Sequence, residues 1–452
     1  MTLDARLGKH SGYHAAVLDP IVEKNLSLAL AELGCEAAEQ LAIDGVAAAA
    51  LAESYGTPLY VFSADVLRRR VECIQTALGP RFELLWSVKA NPSVAVTECL
   101  RIAGAGAEIA SAGELEVALA AGHPAESLRF AGPGKSGTEL ATALSRGLGT
   151  FHVESLDELQ QLADLAAEQQ RAAGVAIRVN LPQELKGSRM RMGGRSSRFG
   201  IDVEHVPEAV RIIKTSDSLR LRGLHVYGGT QCFDANAFVA HARALTEQAA
   251  RWEQELDVRF DELDLGGGFG VAVFQGDPTF DLELAATGLR QLLAEHDRDG
   301  RRWFIELGRY LAGPAGVFLS RIVRQKTSGD QQHVVLDGGM HQAAAAAGLG
   351  TIVPRPPLLV AAEQLRSGTT QPVTVGGPLC TPADQFAEQI ELPALATGDL
   401  VAILNAGAYG LTYSPTGFLS HATPAEVMVE DGQPRVIRSR GQAKDALRNQ
   451  SS

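Results

Sequence analysis

Cysteine is scarce in this 452-residue sequence: Cys35, Cys73, Cys99, Cys232 and Cys380 are scattered without metal-ligand spacing. Such an odd, widely separated set gives neither a disulfide framework nor a zinc site, and fits reduced thiols in a cytoplasm. Positive charge is also short. Lys and Arg number 41 against 53 Asp and Glu, and the formal charge of −12 argues against nucleic acid as the main partner. No run approaches the roughly 18 apolar residues of a membrane span. The opening MTLDARLGKHSGYH lacks the apolar segment of a signal peptide. A cytoplasmic protein without membrane attachment is expected.

What is present is strand–helix alternation. Short apolar segments recur between Thr57 and Gly316: PLYVFS, ELLWSVKA, AEIAS, LRFAG, TFHVES, VAIRVN, LRGLHVYG, DELDLGGG and RWFIELG. Amphipathic stretches such as SLDELQQLADLAAEQQRAAG lie between most of them. Near-continuous apolar strands alternating with helices predict a parallel sheet, and eight or nine units predict a closed (β/α)8 barrel over residues 55–315. After Gly316 the texture becomes β-rich with Gly, Pro and Asp turns, predicting a mostly-β domain over 316–440. Residues 1–54 read as an extension packing partly on that domain, and 441–452 as a polar, frayed tail. The segment GGMHQAAAAAGLG is low in complexity and reads as a mobile loop.

In a parallel barrel the reactive residues belong at the C-terminal strand ends. Lys89 closes the run LLWSVKA, His225 closes GLHV, Gly266, Gly267 and Gly268 follow LDL, and Glu306 and Arg309 stand in FIELGR. A lysine in a desolvated pocket loses its proton readily and can form a Schiff base. A glycine run lets backbone N–H groups cradle a phosphate, to which an arginine adds a charge-assisted contact. A histidine ring can stack on a flat cofactor. A buried glutamate is satisfied by a protonated pyridine nitrogen. Together these describe a site for pyridoxal 5′-phosphate.

Six motifs, SVKAN, GLHV, GGGFG, ELGR, GPLCTPAD and NAGAYG, then occur in one order. In them the chain resembles the fold-type III pyridoxal-phosphate decarboxylases, the group of ornithine and diaminopimelate decarboxylases, from about residue 55 to 430. The resemblance implies Lys89 as the Schiff-base residue, His225 as ring stacker, and Gly266–Gly268, Arg309 and Tyr409 as phosphate ligands. It places Glu306 at the pyridine nitrogen. It also implies a homodimer in which Cys380 reaches the neighbour's site and reprotonates the α-carbon.

Departures from the family pattern are informative. Leu307 stands where proline is usual, Gly228 where a serine often touches the phosphate, and Glu108 where aspartate is common. Thr381 follows the cysteine where amine-recognising members carry an acid. Segments such as DGGMH and AYGLTYSPTGFLSH resemble most the branch of glutamyl-acyl-carrier-protein decarboxylase of butirosin biosynthesis and the exosortase-associated decarboxylases. Thr381, His341 of DGGMH and Arg198 of the basic loop KGSRMRMGGRSSR are the substrate-binding candidates. That loop reads equally as a solvated lid or as a recognition surface for an acidic substrate or carrier.

The resulting expectation is α-decarboxylation of an amino-acid derivative lacking a free distal amine, with an acyl carrier protein as candidate partner. Two alternatives stand beside it: a diaminopimelate decarboxylase making lysine, and an inactive homologue that keeps the fold to bind a partner.

Overall fold

The computed structural model describes residues 20–451 except Glu184, Lys186, Met192, Gly193, Arg195, Ser196, Asp299 and residues 351–354. After a short antiparallel pair, Ala42–Ile43 with Val46–Ala47, comes β1 (Leu59–Ser63), buried at every position. Eight further strands follow: β2 (Phe82–Ser87), β3 (Gly106–Ile109), β4 (Arg129–Phe130), β5 (Thr150–Val153), β6 (Ala173–Asn180), β7 (Leu219–His225), β8 (Glu262–Gly267) and β9 (Arg302–Leu307). They pair in parallel and in chain order. The pairing of β9 with β2 closes the ring into the expected α/β barrel. Burial on both faces explains why β6 carries no polar alternation outside Arg178 and Asn180.

Capping side chains start the helices that cover the ring. Ser63, Ser111, Ser136 and Ser155 each accept a backbone N–H at the start of the helices Ala64–Leu78, Ala112–Ala120, Gly137–Ser145 and Leu156–Glu168. Asp234 and Asp281 do the same for Ala235–Glu255 and Leu282–His296. Each such cap satisfies an otherwise orphaned donor and contributes about 1 kcal/mol.

The second domain contains β10 (Gly316–Ser328), β11 (Gln331–Leu336), β12 (Leu359–Ala361), β13 (Gln371–Gly376), β14 (Gln385–Leu392), β15 (Leu400–Ile403), β16 (Ala425–Glu430) and β17 (Gln433–Arg438). Its main sheet runs β14-β13-β11-β10-β1-β16-β17. This corrects the barrel's expected start at residue 55. β1 lies antiparallel to β10 and parallel to β16, so PLYVFS belongs to the second sheet. Its uniform apolar pattern fits either sheet, and the closed eight-strand ring leaves no edge for a ninth.

The N-terminal segment packs on this second sheet. Ala29, Cys35, Leu41, Ile43 and Leu51 share a core with Leu59, Val61, Val317, Leu319 and Val427. Residues 442–451 are exposed or half-buried, with one short turn at Ala443–Leu447. Among the described residues no helix is long and apolar enough to cross a membrane.

Candidate active site

Lys89 sits in the tight turn Val88–Ala90 directly after β2. Its Nζ lies 3.1 and 3.0 Å from the two carboxylate oxygens of Glu108 at the end of neighbouring β3, and 5.4 Å from the Tyr227 ring centroid. Burial opposes the ammonium charge, but Glu108, with Tyr227 and Glu306, outweighs it and raises the Lys89 pKa. Glu108 is fully enclosed, and burial raises its carboxyl against the pull of Lys89. The two form an ion pair in which the ammonium meets both carboxylate oxygens.

Around the lysine is a cavity of about 480 Å³ between the barrel mouth and the second domain. Arg309, at the start of the turn after β9, stacks its guanidinium over the Tyr409 ring at 4.6 Å. Its Nε is buried without a hydrogen-bond partner among the described residues, and burial pushes its pKa down. Both residues line the cavity with Lys89 and Tyr227. Tyr409 adopts φ +54°, an uncommon backbone for a non-glycine residue.

The barrel floor holds four buried ionisable groups: His152 of β5, His225 of β7, Asp264 of β8 and Glu306 of β9. His225 Nε2 is 3.3 Å from Glu306 Oε2. Burial raises both carboxyls, Asp264 well above its ordinary range, and burial holds both imidazoles well below theirs.

The glycine run explains how these strands come so close. A Cβ on Gly266 would stand 2.2 Å from the Val226 carbonyl oxygen, and one on Gly267 only 1.6 Å from that of Glu306. On Gly268 it would meet the Gly229 oxygen at 2.2 Å. Side chains here would push β8 off β9 and off the turn after β7. Gly266 and Gly268 also have φ +66° and +88°, where a Cβ is strained.

Other sequence candidates fall elsewhere. Cys380 is exposed and Thr381 half-buried on the β13–β14 turn, and neither lines the cavity of its own chain. His341 is buried behind the wall, its ring 4.8 Å from that of His421, with both nitrogens unpartnered. Arg198 is exposed beside the Phe199 ring. In the basic loop, Lys186, Arg195 and the side chain of Arg191 lie outside the described residues. Arg189 pairs with buried Asp277, which also holds Arg355 at 3.2 Å.

The segment read as a mobile loop is cavity wall. Turn hydrogen bonds hold it, including Ala343 N to Gly339 O at 3.0 Å and Ala347 N to Ala343 O at 3.1 Å. Ala343, Ala345, Ala346 and Leu349 face the space. Sequence reasoning also missed His152, Asp264 and Tyr227. Their signal was a polar side chain at the end of an otherwise apolar strand.

Among the described residues the unpartnered Arg309 Nε, beside Lys89 in the cavity wall, fits a phosphate, and the unpartnered Glu306 Oε1 fits a basic ring nitrogen; Glu306, His225 and Gly266–Gly268 lie outside the residues that line the cavity. The family described as pyridoxal-dependent decarboxylase, pyridoxal binding domain, matches residues 64–313. The chain is 32% identical over 415 residues to L-glutamyl-[BtrI acyl-carrier protein] decarboxylase of Niallia circulans, covering 90% of this chain and 97% of the relative. It is 32% identical over 420 residues to the diaminopimelate decarboxylase of Zymomonas mobilis, covering 91% and 96%. The diaminopimelate decarboxylase of Helicobacter pylori complexed with L-lysine superposes with TM-score 0.81 at 25% identity, covering 88% of this chain and 98% of that one. The chain belongs to the pyridoxal-phosphate-dependent decarboxylases of fold-type III, the ornithine and diaminopimelate decarboxylase family.

Proposed function

We propose that the enzyme removes the α-carboxyl of an amino-acid derivative that has no free distal ammonium group and is carried by an acyl carrier protein. The observation behind this reading is the charge of the cavity wall. Lys89, Arg189, Arg309 and Arg355 line it, and no carboxylate does among the described lining residues. Asp384, the acid nearest in sequence to Cys380, is taken up by the backbone: it accepts from Met340 N at 2.6 Å and Leu379 N at 2.8 Å. A second ammonium group placed here would meet cations, neutral polar groups such as Gln231 and Asn405, and apolar surface, with no carboxylate among the described lining residues to pair with it; an unpaired buried charge costs several kcal/mol, about 3–5.

Pyridoxal 5′-phosphate, when bound, supplies an electron sink for the pair left behind as CO2 departs. In this reading Lys89 Nζ holds the cofactor, and Glu108, 3.0 Å away, takes the proton that Lys89 gives up. Arg309, Tyr409 and the backbone of Gly266–Gly268 would receive the phosphate, and His225 would stack on the ring. Glu306, held by His225, would pair with the ring nitrogen and keep it protonated. The apolar wall of Ala343, Ala346 and Leu349 excludes water, which favours loss of a charged carboxylate as neutral CO2.

Cys380 is exposed on its own chain and lies outside that chain's cavity, which supports its delivery to a second copy's site. There it returns a proton to the α-carbon. The homodimer is therefore part of this reading.

The Niallia circulans relative supports a carrier-bound substrate, since its name specifies one. The second reading, diaminopimelate decarboxylase, is supported by the Zymomonas mobilis relative at the same identity. A CO2-release screen with free diaminopimelate, acylated amino acids and carrier-bound aminoacyl groups separates them. Turnover confined to the free diamino acid overturns the first reading.

A further inference from the structure

His152 is absent from every motif above, yet it lies at the centre of the barrel floor. Its ring stacks on that of His225, with centroids 4.2 Å apart and planes inclined by 27°. Its Nδ1 stands 3.9 Å from Glu306 Oε1, and its Nε2 stands 4.0 Å from Asp264 Oδ2. All four of these atoms are buried, and neither ring nitrogen has a hydrogen-bond partner among the described residues, while the carboxyls of Asp264 and Glu306 hydrogen-bond each other. Buried polar groups are nearly always paired, so two unpartnered ring nitrogens, each facing a carboxyl, call for an explanation.

We infer that His152 is a positioning residue whose imidazole bridges the carboxyls of Asp264 and Glu306 and so fixes the floor on which the cofactor ring rests. The bridge is a neutral one. Nδ1–H donates to ionised Glu306, and Nε2 accepts from the O–H of protonated Asp264, which turns from Glu306 to the ring. Each contact forms on an approach of roughly 1 Å, which brings it within hydrogen-bonding distance. No net proton is gained: one stays on Asp264 and one on the ring.

The surroundings favour this arrangement over an imidazolium. His225, Asp264 and Glu306 face the ring, and Arg129, Lys135 and Arg178 approach from the neighbouring strands and turn. Lys135 Nζ donates to the His152 carbonyl oxygen at 2.9 Å. Burial and these cations hold the imidazole neutral. Asp264 is kept protonated by burial and by the charge of Glu306. The remaining oxygen of Asp264 accepts from Gly266 N at 3.0 Å, so the bridge also joins the floor to the glycine cradle. With His225 on one carboxylate oxygen and His152 on the other, Glu306 is fixed in plane.

This inference rests on the reading that Glu306 meets the cofactor's ring nitrogen, and its test separates the two. Nitrogen-15 histidine NMR of the cofactor-free wild type is expected to show His152 as a neutral ring protonated at Nδ1, identified by its loss in His152→Asn. An imidazolium, or a ring protonated at Nε2, overturns the bridge. Cofactor binding by fluorescence quenching supplies a second measurement. His152→Phe keeps volume and stacking but removes both nitrogens, and is expected to weaken binding at least ten-fold and to shift the pH profile of visible absorbance. His152→Asn retains a donor and an acceptor and is expected to recover most of both. If His152→Phe matches wild type, the ring only fills space and the inference is wrong. Should the Phe variant not fold, the tautomer measured in wild type still decides. Unchanged cofactor absorbance in Glu306→Gln would instead overturn the Glu306 reading and leave the tautomer result standing.

Discussion

The backbone N–H of Tyr409 donates to the carbonyl of Ala90 at 2.7 Å, fastening the second domain to the turn that carries Lys89. A second bond runs alongside, from Asn91 Nδ2 to the Gly407 carbonyl at 3.0 Å. Lys89 is thus oriented by two domains, although its strand belongs to one. Asn91→Ala leaves a buried carbonyl unsatisfied and is expected to lower stability by about 1–3 kcal/mol. It should also loosen the turn. Denaturant unfolding would show the first effect and weaker cofactor binding the second; a variant altered in neither would mean that the turn orients itself.

Lys89→Ala is expected to abolish the visible absorbance of lysine-bound cofactor and CO2 release while leaving the fold intact. Removing the ammonium leaves Glu108 enclosed without its cation, so Glu108 takes up a proton and the variant's stability falls less at acid pH than at neutral pH. Retention of wild-type CO2 release would remove Lys89 from the chemistry.

Shared sites make a distinct prediction. Lys89→Ala and Cys380→Ala chains are each expected to be inactive, yet mixed under conditions of subunit exchange they should regain about a quarter of wild-type activity, if hybrids form at random and carry one intact site of two. Confirmed exchange without recovery argues that each chain completes its own site.

The sequence made the barrel legible because a buried apolar strand followed by a helix is a local signal, and the ring contains eight such strands. The origin of β1 was illegible because its apolar pattern is the same in either sheet; only ring closure decides where it belongs. Lys89, Arg309 and Tyr409 could be placed together through motif order, and the cavity brings them together. Arg189 could not be read as a paired cation, since its partner Asp277 lies 88 residues away. His152 was hidden for a related reason. Its significance depends on two acids contributed by other strands, and nothing within TFHVES announces them.

Acid should destabilise the fold through its buried histidines. Burial pushes His241 down to about 4, with both ring nitrogens unpartnered. The unfolded chain binds its proton near the ordinary value of 6.5, so the unfolded state holds more protons between the two values. Stability therefore rises with pH across that window and is lost as pH falls from about 6.5 to about 4. His241→Leu is expected to flatten that slope, with an effect on the order of 3 kcal/mol at most. It should be neutral or stabilising at pH 7, because it replaces an unsatisfied polar ring with an apolar group. Thermal midpoints measured across pH 4–7 would test it; an unchanged slope would clear His241 of the effect.

Substrate choice gives the most discriminating prediction. Lysine, ornithine and diaminopimelate are expected to be poor substrates, because a distal ammonium would enter a cavity whose charged lining residues, among those described, are the cations Lys89, Arg189, Arg309 and Arg355. Asp384 cannot rescue it while holding the Met340 and Leu379 amides, and Thr381 offers a hydroxyl without charge. In the proposed shared site the β13–β14 turn arrives from the partner with Cys380, and residue 381 of that turn is proposed to meet the substrate's far end. Thr381→Asp then supplies a carboxylate where none stood. A charge-assisted contact there contributes about 1.5–3 kcal/mol, so diamine turnover should rise in kcat/KM by roughly ten-fold or more, against a fall for acylated substrates. Measuring both substrate classes on both proteins separates this from a general loss of activity. Efficient turnover of free diaminopimelate by the wild type would assign the enzyme to lysine formation, with the cavity arginines receiving the substrate's second carboxylate.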